Sequence, residues 1–274
     1  MTPRSWDCHT HVFGPYDRYP LDPNRSYTPP PASVADLQAH LDALGIEQVV
    51  LVQPHSHGTD TQAMMAALNV LGGRARGVTV VDPGATSVDE LTDLRRQGIR
   101  GVRVNVHTAR SSMAVPEVHR IVEMLKGSGL HLQLFAPGSE LVELVPQLDR
   151  SVPIVVDHMG MVLHGNGHRD AMDVIRALCE HDCWIKLSAP ERMGVQPDGG
   201  EARRVVEEFA TLAPHRIVWG SDWPHSALTH DRPVEETEPF RAVDDRARLE
   251  MLERWLGADL YGSTLCDNPE SLYA

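Results

Sequence analysis

Short apolar segments rich in valine and isoleucine alternate along this chain with longer amphipathic segments. The short segments are almost continuously hydrophobic, which is typical of strands covered on both faces in a parallel sheet. They recur at intervals of roughly 30 residues. They predict eight strands, at 6–12, 48–54, 77–82, 99–106, 130–136, 153–159, 183–189 and 216–222.

The amphipathic segments have the periodicity of helices that cover such a sheet. The first begins with a capping-box pattern, Ser33 followed by Asp36, and ends at Gly45. The predicted helices lie at 33–44, 60–71, 87–97, 116–127, 139–149, 169–182, 200–213 and 242–256. Eight strand–helix units predict an α/β protein, a (β/α)₈ TIM barrel formed as a single domain by residues 1–274. A doubly wound open sheet is the alternative, but the turn after its first strand is normally rich in glycine.

Two long loops and the C-terminal segment depart from this alternation. The loops at 13–32 and 223–241 follow the first and last predicted strands, and in a barrel they would lie over the carboxyl ends of the strands. The segment Asp267–Tyr273 predicts a terminal helical turn.

Composition and charge limit the class of partner. With 274 residues and 42% hydrophobic content the chain can bury a large core. No apolar run approaches the roughly 20 residues that span a bilayer. The motif that starts at residue 7 leaves no room for a cleaved leader, so we expect a cytoplasmic protein. The net charge of −13 argues against nucleic acid and anionic membranes as partners.

Ionisable residues cluster at the carboxyl ends of the predicted strands. His9 and His11 are two residues apart on the first strand, so both side chains should leave the same face. His158 ends the sixth strand, and Asp222 follows the eighth. The carboxyl ends of barrel strands meet at one mouth, where catalytic residues lie in this fold. The cluster therefore predicts an enzyme active site.

Each candidate residue also has a structural interpretation. Arg103 interrupts an apolar strand, and a buried arginine needs a carboxylate partner from the protein or from a ligand. Asp222 could cap a helix, and Ser56 could be an ordinary loop hydroxyl. Two histidines buried together without a task would be costly, which favours the functional interpretation of His9 and His11.

These features together resemble the amidohydrolase superfamily, through Asp7-x-His9-x-His11, His158 and Asp222. A narrower resemblance to the 2-pyrone-4,6-dicarboxylate lactonase group extends over almost the whole chain. It is carried by Tyr27-Thr28-Pro29-Pro30, Val50-Leu51-Val52-Gln53-Pro54, Gly101-Val102-Arg103-Val104-Asn105, Asp157-His158-Met159-Gly160, Trp219-Gly220-Ser221-Asp222-Trp223-Pro224-His225 and Asp267-Asn268-Pro269.

The resemblance implies a role for each site residue. Asp222 would be the general base that activates water, with His9, His11 and His158 around the scissile carbonyl. The expected contacts to the substrate are Tyr27, Ser56, Arg103, Arg110, Arg192 and His225. One departure is Phe135, which stands where the group has a tyrosine.

The resemblance implies either no required cofactor or one divalent metal. The pyrone lactonase is a metal-independent member, while some relatives hold a single zinc. Here His9, His11 and Asp222 could hold one Zn²⁺ with an open coordination position. A binuclear centre is not expected, because the fourth strand offers Arg103 and the fifth has His131 at its opposite end.

The expected function is hydrolysis of a carboxylated lactone, 2-pyrone-4,6-dicarboxylate or a close analogue, by Asp222-activated water. Hydrolysis or isomerisation of another lactone, of the sugar-acid or muconolactone type, is an alternative. A zinc-dependent decarboxylase and a catalytically inactive ligand-binding protein are two more. The expected partner is a small anionic lactone, and the chain could form a homo-oligomer.

Overall fold

The computed structural model describes residues 4–106, 113–164, 170–229 and 232–274. At its centre is one sheet of eight parallel strands in sequential order. The strands are β1 (Trp6–Thr10), β2 (Gln48–Val52), β3 (Ala75–Thr79), β4 (Ile99–Asn105), β5 (His131–Phe135), β6 (Ile154–Val156), β7 (Trp184–Leu187) and β8 (Ile217–Trp219).

The sheet closes between β1 and the segment that follows β8. Thr10 forms a parallel bridge with Trp223, and the backbone N–H of His11 donates to the carbonyl oxygen of Trp223 at 2.8 Å. The backbone N–H of Asp222 donates to the carbonyl oxygen of His9 at 2.9 Å. The predicted (β/α)₈ barrel is therefore confirmed, and its closure holds the first and last predicted site motifs side by side.

Helices alternate with the strands and cover the barrel. They are α1 (Val34–Leu44), α2 (Gln62–Leu71), α3 (Val88–Arg96), α4 (Val115–Leu125), α5 (Gly138–Leu144), α6 (Ala171–Glu180), α7 (Gly200–Leu212), α8 (Asp245–Leu256), α9 (Ala258–Leu265) and α10 (Asp267–Tyr273). Ser33 caps α1 in the predicted capping box, and Gly45 ends it with a φ of 75°. The sequence analysis did not predict α9. Within the described ranges, no helix is long and apolar enough to cross a membrane.

The last helix covers the amino ends of the strands. The ring of Tyr273 is fully buried and stacks on Trp6, with ring centroids 6.0 Å apart. The carbonyl oxygen of Tyr273 accepts hydrogen bonds from Arg76 Nε at 3.1 Å and Arg100 Nε at 3.0 Å. His131, at the start of β5, packs edge-on against the Tyr273 ring, so it lies at the opposite end of the barrel from the predicted site, as expected.

The eight strands end one to three residues earlier than the hydrophobic pattern predicted, and the early ends of β6 and β8 bear on the site. The sixth and eighth predicted strands continue to residues 159 and 222, but β6 and β8 have three residues each. After β6 the chain turns through His158 and Met159 with φ values of 51° and 54°, and after β8 Asp222 has a φ of 66°. Non-glycine residues rarely adopt this left-handed conformation, which recurs at functional sites. The site residues therefore lie on tight turns just beyond the strands.

Candidate active site

Asp222 lies at the centre of three imidazole rings. Its Oδ1 atom is 3.7 Å from His9 Nε2, 3.6 Å from His11 Nε2 and 3.9 Å from His158 Nε2. All four side chains are buried, and Oδ1 has no hydrogen-bond partner among the described residues. The chain segments that carry His9 and Asp222 lie close together: a Cβ atom added at Gly220 would be 2.6 Å from the Cβ of His9. The carboxylate therefore presents one open oxygen to the three rings.

The other oxygen of Asp222 is held by an arginine. Arg192 donates to Asp222 Oδ2 from Nε at 3.1 Å and from Nη2 at 2.8 Å. Burial alone would raise the pKa of Asp222, but the Arg192 charge and the surrounding imidazoles outweigh it and hold the pKa well below its usual range. Asp222 is therefore an ionised carboxylate at neutral pH, with Oδ1 available as a proton acceptor.

The rings of His9 and His11 are oriented by polar groups on their far sides. His11 Nδ1 donates to the carbonyl oxygen of Val52 at 2.7 Å, and His9 Nδ1 lies 3.2 Å from Asp157 Oδ1. The Val52 carbonyl oxygen is an acceptor, so Nδ1 of His11 carries a hydrogen. His9 Nδ1 lies between an acceptor, Asp157 Oδ1, and a donor, Lys186 Nζ, which is 3.4 Å away. Burial lowers the pKa of His9 to about 3, which keeps its ring neutral.

His158 differs from the other two histidines in the partner of its Nδ1 atom. That atom lies 2.9 Å from the hydroxyl oxygen of Ser188, which can donate or accept a hydrogen bond. When Ser188 donates, Nε2 of His158 carries the hydrogen and can itself donate into the site. Burial holds the pKa of His158 well below its usual range, so the ring is neutral. Of the three rings, His158 is thus the one suited to stabilise an oxyanion.

A buried ionic network lies beneath the rings. Asp157 Oδ2 accepts from Arg103 Nε at 2.9 Å and from Gln133 Nε2 at 3.1 Å. Lys186 is fully buried, donates to Gln133 Oε1 at 2.7 Å and lies 3.6 Å from Asp157 Oδ1. Burial raises the pKa of Asp157, but interactions with His9, Lys186 and Arg103 outweigh it and lower the pKa well below its usual range. Burial also lowers the pKa of Lys186, to about 8.

The sequence analysis assigned no role to Asp157, Gln133 or Lys186. A signal was present, because Gln133 and Lys186 each stand between two apolar residues of a buried strand. A polar side chain in that position must find a partner inside the barrel. The pattern did not show which residues would be partners.

A cavity of about 860 Å³ opens above the rings. Tyr27, Arg103 and Arg192, three of the residues expected to contact the substrate, line it. Burial raises the pKa of Tyr27, so its hydroxyl keeps its proton. Phe135 also lines the cavity; its ring packs edge-on against His158, with centroids 5.6 Å apart, and lies 5.1 Å from the Arg103 guanidinium carbon.

The remaining predicted contacts to the substrate are arranged differently. Ser56 and His225 are buried but are not among the described residues that line the cavity. His225 Nε2 lies 2.8 Å from Asp245 Oδ2, because the left-handed turn at Asp222 and His225 directs the ring toward α8. Arg110 lies outside the described residues.

One group of described side chains could hold a metal ion. His9, His158 and Asp222 each offer one ligand atom, and these atoms lie within 4.8 Å of one another. The sequence predicted His9, His11 and Asp222 as the ligands. In the structure, His158 takes the place in this group that was expected for His11. Two histidines and a carboxylate suit zinc, and Asp157 Oδ1 lies 3.2 Å from His9 Nδ1, where carboxylates often stand beside the histidine ligands of zinc. The donor set therefore fits one divalent ion.

Comparison with known proteins agrees with this architecture. The amidohydrolase family model matches residues 6–261, so the chain belongs to the amidohydrolase family. It is 36% identical to a 2-pyrone-4,6-dicarboxylate hydrolase of Comamonas testosteroni, over 97% of this chain and 89% of that protein. It is 32% identical to a 4-sulfomuconolactone hydrolase of Rhizobium radiobacter, over 98% of this chain and 89% of the relative.

A solved structure shows the same fold. The crystal structure of a probable 2-pyrone-4,6-dicarboxylic acid hydrolase from Acinetobacter baumannii, with citric acid bound, superposes with a TM-score of 0.80. The two sequences are 28% identical, and the match covers 98% of this chain and 99% of that one.

Proposed function

We propose that the protein is a hydrolase that opens a carboxylated lactone, with 2-pyrone-4,6-dicarboxylate or a close analogue as substrate. One observation carries the proposal. The open oxygen of Asp222 faces three imidazoles, and Asp222 lines one cavity together with His11, His158, Arg103 and Arg192. A base, an oxyanion donor and two cationic groups are what hydrolysis of an anionic ester requires. The names of the two relatives, both lactone hydrolases, support the same reaction class.

In the proposed reaction a water molecule lies against Asp222 Oδ1. The oxygen of this water attacks the ester carbonyl carbon while the Asp222 carboxylate takes up a proton from the water. General-base catalysis of this kind contributes about 10²- to 10⁴-fold in rate. The Nε2–H of His158 donates to the carbonyl oxygen as negative charge develops there. The ring C–O bond then breaks, and the departing oxygen takes up the proton held by Asp222.

The arginines of the cavity select an anionic substrate. Arg103 and Arg192 can bind carboxylates through paired, charge-assisted hydrogen bonds. They act over a few ångströms, whereas the repulsion from a net charge of −13 is screened over about 8 Å at physiological ionic strength. Local cations therefore outweigh the overall charge for a small substrate.

We propose that this chemistry needs either no metal or one divalent ion. His9, His158 and Asp222 would hold such an ion, which when bound would polarise the carbonyl and lower the pKa of water. Without a metal, the Nε2 atoms of His9 and His11 would face the reacting water beside Asp222 Oδ1; with one, His9 would be engaged by the ion.

The decisive experiment follows the pyrone ultraviolet absorbance when purified protein is mixed with 2-pyrone-4,6-dicarboxylate, with and without a chelator. We expect a rapid loss of absorbance. A loss that the chelator does not change supports the metal-free reaction, and a loss that the chelator abolishes and zinc restores supports the metal-assisted one. No loss in either case contradicts 2-pyrone-4,6-dicarboxylate as substrate.

A second candidate substrate is a sulfonated or otherwise less carboxylated muconolactone. The absence of a hydroxyl group at Phe135 favours it, because the ring lines the cavity and offers no hydrogen bond to a second carboxylate. The similarity to the 4-sulfomuconolactone hydrolase points the same way. Assaying both lactones in parallel distinguishes the two.

A further inference from the structure

Two guanidinium groups approach the same oxygen of Asp222. Arg192 donates to Asp222 Oδ2 from two nitrogens, and Arg241 Nη2 lies 3.8 Å from that oxygen. The Arg241 Nη2 atom is buried and has no hydrogen-bond partner among the described residues. A buried donor without an acceptor is costly, and such a group in a native site calls for an explanation.

Arg241 is fixed in place by its other nitrogens. Its Nη1 atom forms an ion pair with Glu191, and its Nε atom donates to the carbonyl oxygen of Ser226 at 2.9 Å. Its backbone N–H donates to the carbonyl oxygen of His225 at 2.8 Å. Arg241 thus ties the turn that carries Arg192 to the turn that carries Asp222. The Nη2 atom needs to move by less than about 1 Å to reach normal hydrogen-bond distance.

The two arginines differ in their access to a ligand. Arg192 is one of the residues that line the cavity, whereas Arg241 is not one of the described residues that do so. A substrate carboxylate that enters the cavity therefore meets Arg192 first. The Nε and Nη2 atoms of Arg192 are engaged by Asp222, and Nη2 also donates to Ser226 Oγ at 3.2 Å. A substrate carboxylate that pairs with this same Nε–Nη2 edge draws Arg192 away from Asp222.

Asp222 would then lose the partner of Oδ2 at the moment when it must act as a base. A buried carboxylate left without a partner is strongly destabilised, and it is free to rotate away from the productive orientation. Displacement of a reacting group by about 1 Å can cost 10²-fold in rate. The site needs a second cation for Oδ2 during the reaction.

We propose that Arg241 is a positioning residue that takes over Asp222 Oδ2 when a substrate carboxylate draws Arg192 away. Arg241 then keeps Oδ1 directed at the three imidazoles throughout the reaction. The exchange couples the orientation of the base to the arrival of an anionic substrate. This inference rests on the proposed function, because it requires a substrate that carries a carboxylate.

The test compares Arg241→Met with Arg248→Met. Arg248 is a matched control, since its Nη1 atom also donates to Glu191, at 3.2 Å, and its side chain is equally exposed. The substrates are 2-pyrone-4,6-dicarboxylate and its dimethyl ester, which has the same ring but no carboxylate to draw Arg192 away.

For the dicarboxylate we expect Arg241→Met to lower kcat by about 30- to 100-fold and to change KM by less than about threefold, because binding still uses Arg192. Arg248→Met should stay within about threefold of the unsubstituted protein. For the dimethyl ester both variants should stay within about threefold in single-turnover reactions, because Arg192 remains on Asp222. Equal losses on the two substrates, or equal losses in the two variants, would overturn the proposal and leave Arg241 a general support of the fold.

A crystal structure of the protein soaked with pyridine-2,4-dicarboxylate, a ring dicarboxylate that cannot be hydrolysed, tests the exchange without turnover. We expect Arg192 on the ligand and Arg241 Nη2 at about 3 Å from Asp222 Oδ2. A bound dicarboxylate with Arg192 still on Asp222 refutes the exchange. If the protein opens no lactone but the soaked crystal shows the exchange, the proposed function fails and the inference about Arg241 stands.

Discussion

At the scale of single residues, the two oxygens of Asp222 have different environments. Oδ2 is held by Arg192, and Oδ1 faces three imidazoles without a hydrogen bond. This arrangement fixes the orientation of the carboxylate while leaving one oxygen free to accept a proton. The three rings are distinguished in the same way, by the partner on their far side. Val52 accepts from Nδ1 of His11, Nδ1 of His9 lies between Asp157 and Lys186, and Ser188 allows His158 to be a donor.

Asp222→Asn tests the assignment of the base. The amide keeps the size of the side chain and an oxygen for Arg192 but has almost no basicity. We expect kcat for the lactone to fall by at least about 10³-fold, at the upper part of the range for general-base catalysis. The thermal midpoint should stay within a few degrees, as it should for the exposed control Asp93→Asn. A variant that retains a near-normal rate would show that Asp222 is not the base.

Phe135→Tyr tests the position of the ring relative to the substrate. Phe135 lines the cavity beside Arg103, so an added hydroxyl group can donate to a carboxylate bound there. A hydrogen bond to a charged group contributes roughly 1.5 kcal/mol, which corresponds to a KM about tenfold lower for the dicarboxylate. Steady-state kinetics with the dicarboxylate and with its dimethyl ester measure the effect. The same change in KM for both substrates would place the new hydroxyl group away from the carboxylates.

At the scale of the secondary-structure elements, the site depends on how closely β1 and the end of β8 approach each other. Gly220 directly follows β8 and lies against His9, where a Cβ atom would be 2.9 Å from the backbone nitrogen of His9. The left-handed turns after β6 and β8 then aim His158 and Asp222 at the same point. A backbone contact of this kind cannot relax by moving a flexible side chain.

Gly220→Ala should therefore disturb both stability and activity. We expect a loss of about 2–4 kcal/mol in the free energy of unfolding, as for other overpacked or strained core positions, together with a lower kcat. Gly262→Ala is the control, since nothing lies within 4 Å of an added Cβ in the middle of α9 and alanine favours helix by about 1 kcal/mol. Denaturant unfolding of both variants measures the difference. A neutral Gly220→Ala would show that β1 can move away from β8.

At the scale of the whole molecule, the barrel has different contents at its two ends. The carboxyl ends hold the ionic site, and the amino ends are filled by an apolar cluster that includes Trp6, Cys8 and Tyr273. Because α10 delivers Tyr273 into this cluster, the C terminus completes the core of the barrel. Arg76 and Arg100 bind the carbonyl oxygen of Tyr273 and hold the helix end against β3 and β4.

Tyr273→Ala tests the contribution of this terminal helix. Removal of a fully buried aromatic ring should lower the free energy of unfolding by about 3–5 kcal/mol. Tyr273→Phe is the control. It keeps the ring, and the hydroxyl group makes no hydrogen bond within the described residues, so its loss should change stability little. Urea unfolding measures both; a small effect of the alanine variant would mean that the barrel closes without α10.

Much of the fold was predictable because it depends on local patterns. The apolar runs marked the eight strands, and the capping box with its terminal glycine marked α1. Strands β6 and β8 were each predicted three residues too long, because the residues that follow them stay buried although they form turns. Hydrophobicity reports burial and does not distinguish a strand from a buried turn.

The sequence alone determined which residue types meet at the mouth of the barrel, because the carboxyl ends of parallel strands must lie together. The spacing of His9 and His11 and the arginine within β4 needed no further information. Only the tertiary structure decided the partners: Arg192 on Asp222, Lys186 beside Asp157, and His225 turned toward α8. These contacts join residues that are 20 to 30 positions apart. Whether such a contact forms depends on differences of a few tenths of an ångström in atomic position. Those positions are set by the closure of the barrel and by the left-handed turns beyond its strands.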